Sequence, residues 1–287
     1  MQSWMSEASL DRADNRRKVP EWVSEQWRRP EAQLLLVDAE GHIATNEEVT
    51  GPRGVAPEGD YDAERHTFLG LVEGVPWFTT EGSVTGARAS LRHLGAVAVG
   101  AGLELAVGAV ALIAWHRLEP YCPGCGALTT VTSGGLTRRC SECKRVQFPR
   151  TDPAVIMAVI DDQDRILLGR QASWDDGRMS VLAGFVDAGE SLEQAVHREV
   201  FEETGVRLGE VRYFGSQPWP FPRSLMVGFV ADAVSTDITI DKHEIDEAAW
   251  FSRAELAAAL SERRVIMPGS ASIAHRLITA WQGRLLG

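Results

Sequence analysis

Residues 184–206 read GFVDAGESLEQAVHREVFEETGV, and few folds can absorb such a stretch. Ser191 followed by Gln194 has capping-box spacing, in which each side chain satisfies a free backbone N–H, so a helix opens just after Glu190. On that helix Glu199 and Glu203 are four residues apart, and Glu202 is three from Glu199. All three therefore crowd one face. Like charges so placed repel and cost stability unless a cation lies among them. A hard divalent cation such as magnesium or manganese, which takes oxygen ligands, suits them. Gly205 can adopt the left-handed conformation that ends a helix. A solvated acidic face would explain the glutamates alone, but not Gly184, Glu190, Arg198 and Gly205 at fixed distances from them.

The 287 residues leave room for two domains with a small module between them. A net charge of −11 argues against bulk electrostatic binding to nucleic acid or to an anionic membrane, while leaving room for a local basic pocket. The opening MQSWMSEASLDRADNRRKVPEW is polar and lacks the apolar core of a signal peptide. Gly95 to Trp115 is almost wholly apolar and would just span a bilayer. Its Ala, Gly and Val content, the acid at Glu104 and the lack of a flanking basic cluster point instead to buried core, as helix or helix plus strand. A cytoplasmic protein without membrane contact is expected.

Residues 1 to about 30 lack strong periodicity and are locally basic, and partial order is expected there. QLLLVDAEGHIATN (from Gln33) and HTFLGLVEGVPWFTT (from His66) each place a Glu-Gly turn between apolar runs, the pattern of two hairpins in a small antiparallel sheet. Helices follow from Gly86 to His116. Residues 1–118 thus read as an α+β domain, and its scattered histidines, His42, His66, His93 and His116, as structural or surface groups. From residue 149 onward, buried strands begin at Ala154–Ile160 and Arg165–Arg170. A short strand at Met179–Ala183 leads to Gly184, and further strands lie at Val211–Ser216, Leu225–Ala233 and Ala248–Phe251. Helices are expected at Arg253–Ser261 and Ser272–Leu285, giving an α/β/α sandwich with a mixed sheet over residues 149–287.

Between these domains, residues 119–148 carry Cys122, Cys125, Cys140 and Cys143 as two CxxC knuckles. Two knuckles with a connecting loop of this length suit a tetrahedral zinc site of four thiolates, a zinc ribbon. All four positions are filled, which favours a structural role over catalysis. Arg138, Arg139, Lys144 and Arg145 make the module basic enough to keep a nucleic-acid role open.

Ser216 to Ser224 reads SQPWPFPRS. Three prolines stiffen it, and Trp219 and Phe221 offer flat apolar faces: a preorganised wall for a planar base, with Gln217 and Ser224 as hydrogen-bonding groups. The alternative is a Pro-rich surface connection with its aromatics tucked into core.

The box G-x5-E-x7-R-E-V-x-E-E-x-G-V, the S-Q-P-W-P-F-P-x-S run and the four-cysteine module together resemble the NADH pyrophosphatase subfamily of Nudix hydrolases, over roughly residues 119–287. The N-terminal third matches only in layout. The resemblance implies a Nudix α/β/α sandwich and hydrolysis of the pyrophosphate of NADH or NAD to nicotinamide mononucleotide and AMP. It also implies removal of NAD caps from RNA 5′ ends, and a homodimer. It makes Glu199 and Glu203 ligands of catalytic magnesium or manganese and Glu202 a further ligand or helper. Glu244 and the carbonyl of Ala183 become further metal contacts. Substrate would be lined by Phe148, Gln217, Pro218, Trp219, Pro220, Phe221, Pro222, Arg223, Ser224 and Ala274. Phe148 stands where members often carry tyrosine, so stacking survives there without a hydroxyl. An acid that can touch substrate in the family is Gly135 here, and that role is not carried over. Glu202 or Glu203 would act as general base, and Arg198 would hold the glutamates or the loop rather than touch substrate. Rival readings are a Nudix enzyme for another substrate such as ADP-ribose, and a non-catalytic module that binds nucleotide or RNA.

Overall fold

The computed structural model describes residues 7–286, which form two compact units. One comprises the chain up to Thr151 together with Pro220–Arg223; the other comprises Asp152–Trp219 and the chain from Ser224 onward.

The first unit opens with α1 (Pro20–Trp27), whose first position is the proline that a helix N-terminus tolerates. It continues through β1 (Gln33–Val37), β2 (His42–Ala44), β3 (Gly54–Val55), β4 (Thr67–Val72), β5 (Val75–Glu81) and β6 (Arg88–Ser90). Both expected hairpins form, and Glu73 and Gly74 both take positive φ, as a two-residue turn between twisted strands requires. The sheet order is β4-β5-β1-β2-β6, with β3 also on β1. The small sheet was expected to be antiparallel, but β1 and β5 pair in parallel. Each hairpin fixes only its own pairing, and the long connection between them lets the second dock in either direction.

Two helices follow, α2 (Leu91–Val97), capped by Ser90, and α3 (Gly100–Leu118). Adjacent strand residues point to opposite faces. Leu35, Val37 and Ile43 therefore pack with Leu103, Ala106 and Ala109 of α3, whereas Leu34, Phe68 and Phe78 pack with Val23 and Trp27 of α1. By length and composition α3 could cross a membrane. Its Glu104, 6% exposed, instead accepts the backbone N–H groups of Ser9 (2.9 Å) and Leu10 (3.1 Å).

Of the leader expected to be only partly ordered, residues 1–6 lie outside the described residues, while Leu10, Ala13 and Arg17 are buried. The Arg17 guanidinium donates to the carbonyls of Phe68, Ser133 (3.0 Å) and Gly134 (3.2 Å), and burial lowers its pKa to about 10. Periodicity cannot reveal this anchoring, which comes from a charged side chain bound to backbone oxygens.

The cysteine module is a three-stranded sheet of β7 (Thr129–Thr132), β8 (Thr137–Cys140) and β9 (Val146–Gln147). Buried Arg138 donates to Thr129 (Oγ1, 2.7 Å; O, 2.9 Å) and lies 3.1 Å from Nδ1 of His116. Burial lowers the His116 pKa to about 4, so the ring is neutral: Nε2–H donates to the Gly135 carbonyl at 2.8 Å and Nδ1 accepts from Arg138. Its role is structural.

The second unit runs β10 (Asp152–Ile160), β11 (Ile166–Arg170), β12 (Leu182–Phe185), α4 (Leu192–Thr204), β13 (Leu208–Trp219), β14 (Ser224–Ala233), β15 (Glu247–Phe251), α5 (Arg253–Ser261) and α6 (Ile273–Gln282). Sheet order is β13-β14-β10-β11-β15 with β12 also on β10. Strands β10 and β14 are parallel and the other pairs antiparallel, so the sheet is mixed. Along β10, Ile156 and Ala158 join Leu256, Leu277 and Trp281 of α5 and α6, while Val155, Met157 and Val159 join Ala195, Val196 and Val200 of α4. Helices thus cover both faces, and each fully buried aliphatic side chain contributes about 1.5–3 kcal/mol. This is the expected α/β/α sandwich.

The proline-rich stretch departs from expectation. Strand β13 continues to Trp219, pairing Gln217 with Met226, Pro218 with Leu225 and Trp219 with Ser224, so only Pro220–Arg223 forms the turn. Pro218 is tolerated because β13 lies at the sheet edge. The turn residues belong to the first unit, where Phe221 packs on the core under the Arg92 guanidinium (4.6 Å) and Arg223 pairs with Glu119 (2.5 Å).

Candidate active site

Helix α4 starts as its sequence dictates: the Ser191 hydroxyl accepts the Gln194 N–H, and the Gln194 side chain accepts the Ser191 N–H. Gly205 ends it at φ 71°. The helix is therefore fixed in register, and so is the face carrying its glutamates.

Donor atoms of Glu199, Glu203 and Glu244 lie within 4.8 Å of one another. Glu203 is 6% exposed, and its Oε2 has no hydrogen-bond partner. Burial, reinforced by the charges of Glu199 and Glu244, pushes its pKa up to about 8. Glu199 is also raised, chiefly by burial. An orphaned, desolvated carboxylate beside two others is a donor set short of a cation, and its all-oxygen chemistry fits a hard divalent ion.

The site is walled by β12. A Cβ built on Gly184 would lie 1.8 Å from the Glu199 carboxylate carbon, so only glycine lets this backbone face it. Ala183 precedes it on the same strand, opposite Ile156 of β10. Arg198 acts as the clamp expected of it. It donates to Glu190 (2.7 and 2.9 Å), Glu199 (2.9 Å), Glu202 (3.0 Å) and the Phe185 carbonyl (2.9 Å). These bonds, with the Asp187 N–H, hold Glu190 down at about 2. Glu202 sits on the exposed flank with Arg198, outside the three-carboxylate set.

Glu244 comes from the β14–β15 loop. That loop is tied to the end of α4 through the N–H of Thr239 on Thr204 O (2.8 Å) and of Asp241 on Glu203 O (3.3 Å). Sequence reasoning missed these ties because they are backbone bonds, which leave no residue-type signal.

The other site residues fall into separate groups. Phe148, after β9, is 67% exposed in the first unit, which also holds Pro220–Arg223. Gln217, Ser224 and Ala274 are buried in the second unit. The Gln217 amide donates to Ala271 O (2.7 Å) and accepts the Ile273 N–H (2.6 Å), so in this conformation it fastens the start of α6 to β13 instead of presenting itself to a ligand. Ala274 faces the core beside Ile273 and Leu277.

Donor atoms of Cys122, Cys125, Cys140 and Cys143 also gather within 4.8 Å, with Sγ–Sγ distances of 3.6 Å (Cys122–Cys143) and 3.5 Å (Cys125–Cys140). Tetrahedral coordination at a metal–sulfur distance of about 2.3 Å needs sulfurs about 3.8 Å apart, so the cluster fits zinc with little movement.

Comparison with known proteins gives the family. Residues 150–268 match the NUDIX domain family model. The chain is 39% identical to the NAD-capped RNA hydrolase NudC of Mycobacterium bovis, over 96% of this chain and 94% of that protein, and matches the Mycobacterium tuberculosis protein of the same name equally. It is 44% identical to the human NAD-capped RNA hydrolase NUDT12 over 59% of this chain and 39% of that protein. A likeness spanning nearly the full length of the mycobacterial proteins takes in the first unit and the cysteine module as well as the acidic helix, and the chain belongs to the NADH pyrophosphatase subfamily of the Nudix hydrolases.

Proposed function

We propose that the chain hydrolyses the pyrophosphate bond of NADH or NAD to nicotinamide mononucleotide and AMP, and removes NAD caps from RNA 5′ ends. The observation that carries this is the orphaned Glu203 carboxylate inside an intact Glu199–Glu203–Glu244 set.

Magnesium or manganese bound by Glu199, Glu203 and Glu244, with the Ala183 carbonyl, would offset the phosphate charge and make water acidic enough to attack near neutral pH. Water oxygen attacks one phosphorus, the bridging P–O bond breaks, and the two mononucleotides leave. The water proton goes to a carboxylate. Of the two proposed acceptors, Glu202 is the one outside the donor set. Arg198 keeps Glu199 and Glu202 in register with β12 through the Phe185 carbonyl. Trp219 would offer an aromatic face to a base, and Gln217 holds α6, with its Ala274, against β13.

We read residues 119–148 as a distinct ribbon whose four thiolates hold a structural zinc. A homodimer in the cytoplasm completes the proposal.

The test is hydrolysis of NADH, NAD, ADP-ribose and an NAD-capped RNA side by side, with magnesium or manganese, for wild type and Glu203→Gln. Cleavage of NADH to two mononucleotides, reduced on the order of 10³-fold in the variant, is expected. Preferential cleavage of ADP-ribose would redirect the substrate reading. Tight nucleotide binding without any cleavage would replace the enzyme with a binding module.

A further inference from the structure

Two of the three clustered carboxylates are fixed by helix α4; the third, Glu244, is not. It stands exposed in the β14–β15 loop, so its approach to Glu203 depends on how that loop is held. The leading end is secured by the backbone bonds to Thr204 and Glu203. Buried Ile245, 3% exposed, plugs the loop into the sheet beside Gly169. The trailing end meets a cation, Arg170, at the end of β11.

The Arg170 side chain, 13% exposed, is bonded to Asp246 and lies 3.6 Å from Glu247 and 3.7 Å from Asp176. Its own carbonyl accepts the Asp246 N–H at 2.8 Å. Asp246 is thus gripped by both backbone and side chain of one residue, two positions after Glu244. A half-buried planar guanidinium spanning several carboxylates is a stiff strut, which lysine, with a point charge, cannot reproduce.

We propose that Arg170 is a positioning residue for the metal site: by clamping Asp246 and Glu247 it holds Glu244 within reach of Glu199 and Glu203. Arg170 itself stands outside the donor set. This assignment rests on the metal reading of the three glutamates. Residues that orient ligands from outside the ligand set typically govern metal affinity by 10–100-fold.

The full-length chain, with its zinc retained, is titrated with Mn²⁺ and free Mn²⁺ is read by electron paramagnetic resonance. Arg170→Met is expected to weaken the tight site by about tenfold, with Arg170→Lys in between. Asp246→Asn, an exposed substitution that leaves Arg170 in place, is expected to weaken it in the same direction and keeps the test open should Arg170→Met fold poorly. At saturating Mn²⁺ the KM for NADH stays at the wild-type value, and kcat recovers as Mn²⁺ is raised. Mn²⁺ affinities within about twofold of wild type, even with a lowered Tm, would overturn the assignment and leave Arg170 a purely structural residue. If wild type itself bound Mn²⁺ no better than Glu203→Gln, the metal reading beneath it would fall instead.

Discussion

The cysteine cluster and the glutamate cluster solve one problem in opposite ways. Each gathers groups that repel when ionised. The cysteines come from one short stretch, 122–143, on knuckles whose own backbone serves them: Gly124 N–H lies 3.4 Å from Cys122 Sγ. Without zinc the thiols would divide the protons. Burial raises Cys140, but the N–H groups of Cys143 and Glu142 outweigh it and bring it down to about 6. The Arg145 N–H pulls Cys143 down, but hydrogen bonds with Cys122 and Cys140 carry it up to about 11. The glutamates come from α4 and a loop some forty residues further on, and they face a third element, β12. Here an arginine takes part of the charge and Glu203 keeps a proton. A local cluster builds its own fold; a dispersed one borrows the fold and is exposed to every error in it.

The largest effect should come from the local cluster. Structural zinc sites are worth about 10–16 kcal/mol in small peptides, so Cys140→Ser should bring zinc content by atomic absorption to background and lower Tm by ~10 °C or more. Zinc loss with an unchanged Tm would break the contrast, because the ribbon would then not depend on its metal.

Gly184→Ala tests the dispersed cluster. The atoms nearest the new methyl are the flexible end of Glu199, so the fold should survive with Tm nearly unchanged. The displaced carboxylate should cost 10–100-fold in Mn²⁺ affinity, read by titration. Unaltered affinity would show that Glu199 need not face β12.

Glu203 supplies a pH signature. Its folded pKa, about 8, lies above the ordinary 4.5. Between those values the folded chain keeps a proton that the unfolded chain has released, so the metal-free protein loses stability as pH rises through that window. Glu203→Gln should remove this slope, its Tm advantage growing from near zero at pH 4.5 to a maximum above pH 8. Metal must displace the same proton, so wild-type Mn²⁺ affinity should climb by up to about tenfold per pH unit below 8. Parallel thermal melts of the two proteins decide it; identical slopes would remove Glu203 as the proton holder.

The smallest effect is expected at Gln217→Met. It strands the Ile273 N–H and the Ala271 carbonyl, costing about 1–3 kcal/mol and a few degrees of Tm, with KM for NADH changed less than stability. A large rise in KM at unchanged Tm would return Gln217 to the ligand.

What could be read beforehand was whatever chemistry repeats at short range. The capping box at Ser191, the left-handed Gly205, the helix at Arg253–Ser261 and the Glu-Gly turns all declare themselves within a few residues. Two CxxC knuckles and the helical pair Glu199 and Glu203 likewise announce their clusters, since helix and knuckle geometry bring them together, whereas Glu202 on the same helix falls outside the set. Long-range pairing left no such trace. Nothing in QLLLV says that β1 will run parallel to β5, nor does SQPWPFP say that its first half is edge strand. Arg17 reads as part of a basic leader because periodicity weighs charge and cannot see carbonyl partners. Gln217 reads as a ligand contact because its composition invites one, while its two bonds to the start of α6 exist only in the fold.

Glu104 ties the beginning of the chain to its most apolar helix. With the N–H groups of Ser9 and Leu10 in place, that carboxylate is one end of a seam closing the first unit. A chain trimmed to start at Asp11 would take both donors away and leave water alone to solvate that acid, on a helix of alanines, valines and leucines. Ser9 and Leu10 thus work as a stopper, and what they seal is, among the described residues, the one helix that hydropathy alone would assign to a bilayer.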